Sequence, residues 1–283
     1  MTPADPARIH LLPAAKAPVV IVIRRKPAKL FHIVRVDTDT GKAEHGAWFT
    51  GQLYPMRCDV SFDGKWLVYL ALGKFGKTWN AVSELPRLTA AAGAENMGTW
   101  YGGGYWRSRD VLCLNRWAPA AGAKIPFRVE PLDVRYGGED ESVLYPRLER
   151  DGWRRRGDNW GRDEEVRGAK RFTIVNTGDD GWERQPSAKH PALIMWYAGY
   201  FGTRVFRFRV PSQPDLLDDD VSWANYDSIG QLVVARKGVV TIYRWRKVRG
   251  IARFETAHVL DFEEARPRKP GAVPVGRKIR RGR

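Results

Sequence analysis

The sequence predicts an all-β body of short antiparallel strands, residues 1–265, followed by a disordered basic tail, residues 266–283. Three observations lead there. Apolar residues recur in period-2 or short continuous runs bounded by Gly, Pro, Asn and Asp, the signature of strands. No segment carries the extended three-to-four spacing of a long amphipathic helix. The tail, R-P-R-K-P-G-A-V-P-V-G-R-K-I-R-R-G-R, holds eight Lys or Arg and no acid. Rich in Pro and Gly and poor in apolar side chains, it cannot recover its ordering entropy by burial.

The strands succeed one another along the chain. Val19 to Arg25 and Leu30 to Val36 flank Lys26-Pro27-Ala28, a hairpin connection. Asp37-Thr38-Asp39-Thr40-Gly41 then turns the chain into Ala43 to Thr50. Further strands are predicted at Trp66 to Leu72, Thr78 to Ser83, Val111 to Asn115, Pro126 to Val129 and Phe172 to Val175. Leu193 to Tyr197, Val205 to Val210, Leu232 to Ala235, Val239 to Trp245 and His258 to Phe262 complete the set.

Residues 59–69, D-V-S-F-D-G-K-W-L-V-Y, combine a strand, an Asp-Gly turn and a second strand. The glycine supplies the positive φ that a tight hairpin needs. A looser version occupies residues 223–235, W-A-N-Y-D-S-I-G-Q-L-V-V-A, with Gly230 at the turn. Both resemble the strand-turn-strand signature of TolB-like and WD40-like β-propeller blades, and the wider arrangement is similar to uncharacterised bacterial propeller-like proteins. The resemblance implies a β-propeller-like array and brings no activity with it. At 40 to 45 residues per blade the body has room for about six blades. The predicted strands fill only three or four.

With 283 residues the chain buries a substantial core without staples. Its two cysteines, Cys58 and Cys113, lie in apolar runs without C-x-x-C spacing and read as buried structural thiols. No basic, apolar leader opens the sequence, and the best apolar run near it, Val19 to Ile23, is far too short to span a membrane. A cytoplasmic protein without a membrane segment is expected.

Several segments invite a chemical reading. Residues 71–78, A-L-G-K-F-G-K-T, satisfy a relaxed phosphate-loop pattern, in which Gly76, Lys77 and Thr78 would serve the phosphates and Mg²⁺. The first position is Ala, however, the run from Thr78 to Ser83 suits a strand, and Pro86 stops a long helix. A basic hairpin loop is the competing reading. The stretch Met97 to Trp106, rich in glycine and rings, is either a stacking surface for bases or sugars or a loop capping the core. Trp153 and Trp160 among Arg154, Arg155, Arg156 and Arg162 offer stacking and phosphate contacts, or a solvated loop.

Acidic clusters at residues 139–141, 163–165, 179–180 and 218–220 read as solvated loops unless folding pairs them as acid and base. Asp37 to Gly41 reads as a turn rather than a Ca²⁺ loop, because the later ligands are out of register. The five histidines are scattered, and no zinc spacing or nucleophile elbow occurs. His32, within a strand, reads as a partly buried ring with its hydrogen bonds satisfied rather than as a ligand. No cofactor and no metal are expected.

Electrostatics carry the functional expectation. The formal charge is +16, half of it from Arg266, Arg268, Lys269, Arg277, Lys278, Arg280, Arg281 and Arg283. The body adds Arg24-Arg25-Lys26 and Arg244-Trp245-Arg246-Lys247. A mobile polycation attracts phosphate polymers by releasing their counterions. The expected function is a non-catalytic interaction module binding nucleic acid or another acidic partner through its loops, Arg154 to Arg156 and the tail. The competing reading is an enzyme on a propeller scaffold, either a nucleotide hydrolase using residues 71–78 or a carbohydrate-active protein using Trp-lined carboxylates.

Overall fold

Five successive sheets account for all the described strands of the computed structural model, which describes residues 5–26, 29–95, 98–120, 122–133, 135–156, 181–198 and 205–267. The first contains β1 (Arg8–Pro13), β2 (Val19–Arg25), β3 (Leu30–Asp37) and β4 (Ala43–Thr50) in chain order. The second contains β5 (Gln52–Leu53), β6 (Asp59–Val60), β7 (Trp66–Leu72), β8 (Thr78–Glu84) and β9 (Ala90–Glu95), with β5 and β6 both paired to β7. The third joins β10 (Gly104–Ser108) to β11 (Val111–Leu114), and β12 (Arg128–Pro131) is added parallel to β11.

A helix, α1 (Glu141–Arg150), leads into the fourth sheet. That sheet has β13 (Trp153–Arg156), β14 (Gly181–Arg184), β15 (Leu193–Ala198) and β16 (Val205–Arg209). The fifth has β17 (Val221–Tyr226), β18 (Leu232–Arg236), β19 (Val239–Val248) and β20 (Ile251–Asp261). The arrangement is a five-bladed β-propeller. Five blades lie between the six that the length allows and the three or four that the predicted strands fill, because β1, β5, β9, β10, β13 and β14 lack a clear alternating pattern. The strand expected at Phe172 to Val175 lies outside the described residues.

Strand periodicity builds the core directly. On β2, Val20 and Val22 join one apolar cluster while Ile21 and Ile23 join another. On β3, Val34 and Val36 divide in the same way from Phe31 and Ile33. Successive side chains point to opposite faces of a strand, so this first blade is covered on both sides.

At the centre, β1 lies beside β17 and β6, β6 beside β10, β10 beside α1, and β16 beside β17. Ser222 on β17 exchanges hydrogen bonds with the backbone of Ile9 on β1, and the His10 and Trp223 rings lie 3.8 Å apart. The two strands therefore run side by side in the same direction. The surface where they begin is the front face, and the surface where they end is the rear face.

The first and last sheets are fastened at both faces. At the front, buried Arg24 donates to the carbonyls of Phe262 (2.6 Å) and Glu263 (2.8 Å), Lys26 pairs with Glu263 and Glu264, and Ala7 N–H donates to Glu263. At the rear, Thr38 Oγ1 donates to Asp227 (2.6 Å) and Gln231 Nε2 donates to the Thr38 carbonyl (3.0 Å). The expected basic cluster at residues 24–26 is thus largely spent inside the fold, with Arg25 alone exposed.

Candidate interaction surfaces

A cleft of about 420 Å³ opens on the front face. It forms because β1 and β17 begin there, next to the turn preceding β6, and their first side chains do not close over the centre. Its apolar wall includes Ile9, Phe31, Met56, Phe206 and Trp223, and Arg8, Arg25, Lys237, Asp5, Asp219 and Asp220 stand among its lining. The acids of residues 218–220 are each matched: Asp218 with Arg236 (3.0 Å), Asp219 with Arg207 (3.1 Å) and Asp220 with Lys237 (2.6 Å). They are partners of neighbouring cations rather than an acid and base pair facing one another.

His10 lies in the cleft wall, buried against Trp223. Burial first, and then the nearby Arg147 guanidinium, hold its pKa well below 6.5. Its imidazole is therefore neutral, with Nε2 3.5 Å from Arg147 Nη2. The site provides shape, a stacking surface and a rim of mixed charge, features suited to holding a partner's side chain.

Beneath the cleft runs a charged network whose arginine side chains are buried. Arg57 binds Glu139 and Asp140 just ahead of α1. Arg147 donates to the Cys58 and Pro55 carbonyls, and Arg150 pairs with Asp59 and Asp151 while donating to the Trp106 carbonyl (2.9 Å). Asp59 also accepts from Trp106 N–H (2.8 Å). Burial pushes the Asp59 carboxyl up against the pull of Arg150, and the two acids hold Arg150 protonated despite its own burial. Sequence reading misses this network because its members are far apart in the chain, and the acids of 139–141 look like a solvated loop.

The other candidate residues fall in different places. Gly76, Lys77 and Thr78 form the turn from β7 into β8, where Gly73 N–H donates to the Lys77 carbonyl (2.8 Å). A strand comes next, not a helix, and buried Thr78 accepts from Gly98 N–H through Oγ1 (3.0 Å). The helix N-terminus of a phosphate loop is absent from this segment. In the glycine-rich loop, Gly103 N–H donates to Asn80 Oδ1 and Trp106 is buried, whereas Trp100 and Tyr101 are exposed, with Arg116 4.3 Å over the Tyr101 ring.

Arg154 and Arg155 are exposed on β13, and Arg156 pairs with Glu183 (3.1 Å). Trp153 beside them is buried in the core. Arg266 is exposed and paired with Glu264 (2.9 Å). Arg268, Lys269, Arg277, Lys278, Arg280, Arg281 and Arg283 lie outside the described residues, as do Trp160 and Arg162. Asp37 accepts from Asp39 N–H, Thr40 N–H and Thr40 Oγ1, as a turn residue does. Both cysteines are free and buried, and burial pushes the Cys58 thiol up to about 12. Among the described residues no helix is long and apolar enough to cross a membrane.

No family model matches the chain, and no curated protein does. Among solved structures it is similar to an uncharacterised protein of Listeria monocytogenes EGD-e, at 9% identity and a TM-score of 0.30, over 91% of this chain and 85% of that one. It is also similar to the WD40 domain of SCAP from fission yeast, at 8% identity and a TM-score of 0.23, over 92% of this chain and 67% of that one. At such distances the propeller assignment stands on this chain's own ladders.

Proposed function

We propose that the chain is a non-catalytic interaction module whose propeller holds loops and a front cleft in place for a partner, while the basic tail attracts nucleic acid or another acidic macromolecule. The observation supporting this most strongly is where the charge is spent. Inside the fold Arg150 is matched by Asp59 and Asp151, and buried Arg57 is matched by Glu139 and Asp140 at the surface. Eight of the remaining cations follow one another through residues 266–283 with no acid among them, and they make up half of the formal excess of 16 positive charges. A large exposed excess of one sign raises the local concentration of the opposite one and speeds encounter.

The test compares binding to RNA and DNA over several salt concentrations, for the whole chain and for a chain ending at Ala265. If all eight tail cations engage duplex phosphates, they account for a slope of about −7 in log K against log salt. Loss of that contribution on truncation supports the tail's role. Unchanged affinity and slope remove it.

A further inference from the structure

We propose that the β19–β20 hairpin is a second, independent polyanion site, an arm that seats on a nucleic acid duplex. It goes beyond the tail-based reading, because it uses different residues, and Phe262, near the last described residues, lies at the opposite face. β18 pairs with β19 only as far as Leu232 and Tyr243, whereas β19 and β20 continue as a two-stranded ribbon through Val248 and Ile251. The five residues from Arg244 to Val248 carry it about 17 Å beyond β18 at the rear face. Phe262, by contrast, returns to Gly238 and the Arg24 clasp at the front.

A free two-stranded ribbon is marginal in water, so this one must be braced. Its base is braced by Arg244, which donates to Gln231 (2.8 Å) and to the Asp39 carbonyl (2.7 Å). The Trp245 and Phe254 rings pack across the strands at a tilt of 58°, with centroids 4.9 Å apart. The tip is closed by Arg249 and Gly250, both at positive φ (49° and 86°), the conformation that suits the twist of a tight hairpin.

Beyond that brace the charge is one-sided. Residues 244–256 contain five cations and one acid, Glu255, which Arg253 engages at 3.1 Å. Arg246 and Arg253 stand directly opposite each other, a pairing of like charges that weakens a sheet. Arg246, Lys247 and Arg249 are exposed and make no ion pair with a described residue. An anion bound along the projecting ribbon would relieve this repulsion.

The geometry points to a duplex rather than an acidic peptide. Arg246 and Arg253 share one face, Lys247 lies on the other, and Arg249 is at the tip, so cations front both sides. A groove walled by phosphates on two sides matches that distribution, and the major groove of B-form DNA admits a two-stranded ribbon. The major groove of an RNA duplex is too deep and narrow for it.

The experiment replaces Arg246, Lys247, Arg249 and Arg253 by Gln together, in the whole chain and in the chain ending at Ala265, with circular dichroism and melting to check folding. Affinity for a 25-base-pair DNA duplex is then measured from 50 to 300 mM salt, alongside an RNA duplex and polyglutamate. The arm predicts that the slope becomes less negative by about 3.6 in both backgrounds, with a larger loss on DNA than on RNA. An unchanged slope in both backgrounds overturns it, even where removing the tail alters binding. A loss confined to polyglutamate also overturns it. Two single variants, Lys247→Gln and Arg249→Gln, keep the test valid should the fourfold variant unfold, each being expected to shift the slope by about 0.9.

Discussion

His32 shows how a single side chain registers its surroundings. It is 1% exposed on β3, stacked on Trp48 at 4.0 Å and on His45 at 5.2 Å, and neither ring nitrogen has a hydrogen-bond partner. Burial, then the His45 and Arg24 charges, lower its pKa from 6.5 to about 4. Between those two values the unfolded chain binds the proton and the folded chain does not, so stability falls as the solution is acidified through this window. The loss attributable to His32 is about 2 kcal/mol at pH 5 relative to pH 7. His32→Phe keeps a ring in the stack and removes the titrating group. Its melting temperature should depend less on pH between 7 and 5 than the parent's; an equal dependence would place the effect elsewhere. A buried ring is legible in the strand pattern around His32, but its hydrogen bonds are not satisfied as the sequence suggests. Stacking replaces them, and the stack depends on β3 pairing with β4, which brings Trp48 opposite it.

At the scale of elements, α1 is held by charge as much as by apolar contact. Removing one partner of a buried pair leaves the other charge uncompensated, so Asp59→Asn should destabilise the fold by about 3 kcal/mol. Denaturant unfolding checks this, and a change below about 0.5 kcal/mol would mean that Asp151 alone suffices for Arg150. The helix is illegible in the sequence for a physical reason. Ser142 to Leu148 are all buried, so no polar face alternates with an apolar one, and Pro146 sits within it. Strands with a clear period are legible almost to the residue: β2, β4 and β7 occupy the predicted spans. The turn motifs are legible too. Gly64 (φ 72°) follows β6, and Gly230 (φ 83°) joins β17 to β18, where Asp227 accepts from Ile229 and Gln231 N–H. β1 is not legible, because R-I-H-L-L-P is buried on both faces and ends in Pro.

For the whole molecule, the ring closes among the described residues without exchanging strands between its first and last blades, and side-chain hydrogen bonds take over that task. Arg24→Met would leave the Phe262 and Glu263 carbonyls without their donor at a buried seam, a loss of about 2 kcal/mol. Faster amide hydrogen exchange in β1 and β20 than in β7 would locate the opening at this seam, and uniform exchange would deny it a special role. The candidate surfaces divide similarly between those that chain order reveals and those that folding assembles. The basic tail is continuous and can be read at once, whereas the front cleft gathers residues from near position 5, near 55 and near 220. Central to the account is the proposal that a propeller carrying a formal charge of +16 draws polyanions to its exposed cations and its tail. The most direct measurement is the affinity of the whole chain for a labelled DNA duplex at 50 and 200 mM salt. The account predicts firm binding at the lower concentration and at least a thousandfold loss at the higher, as expected when six or more phosphates are neutralised. Absence of binding at 50 mM, or an affinity indifferent to salt, would contradict it.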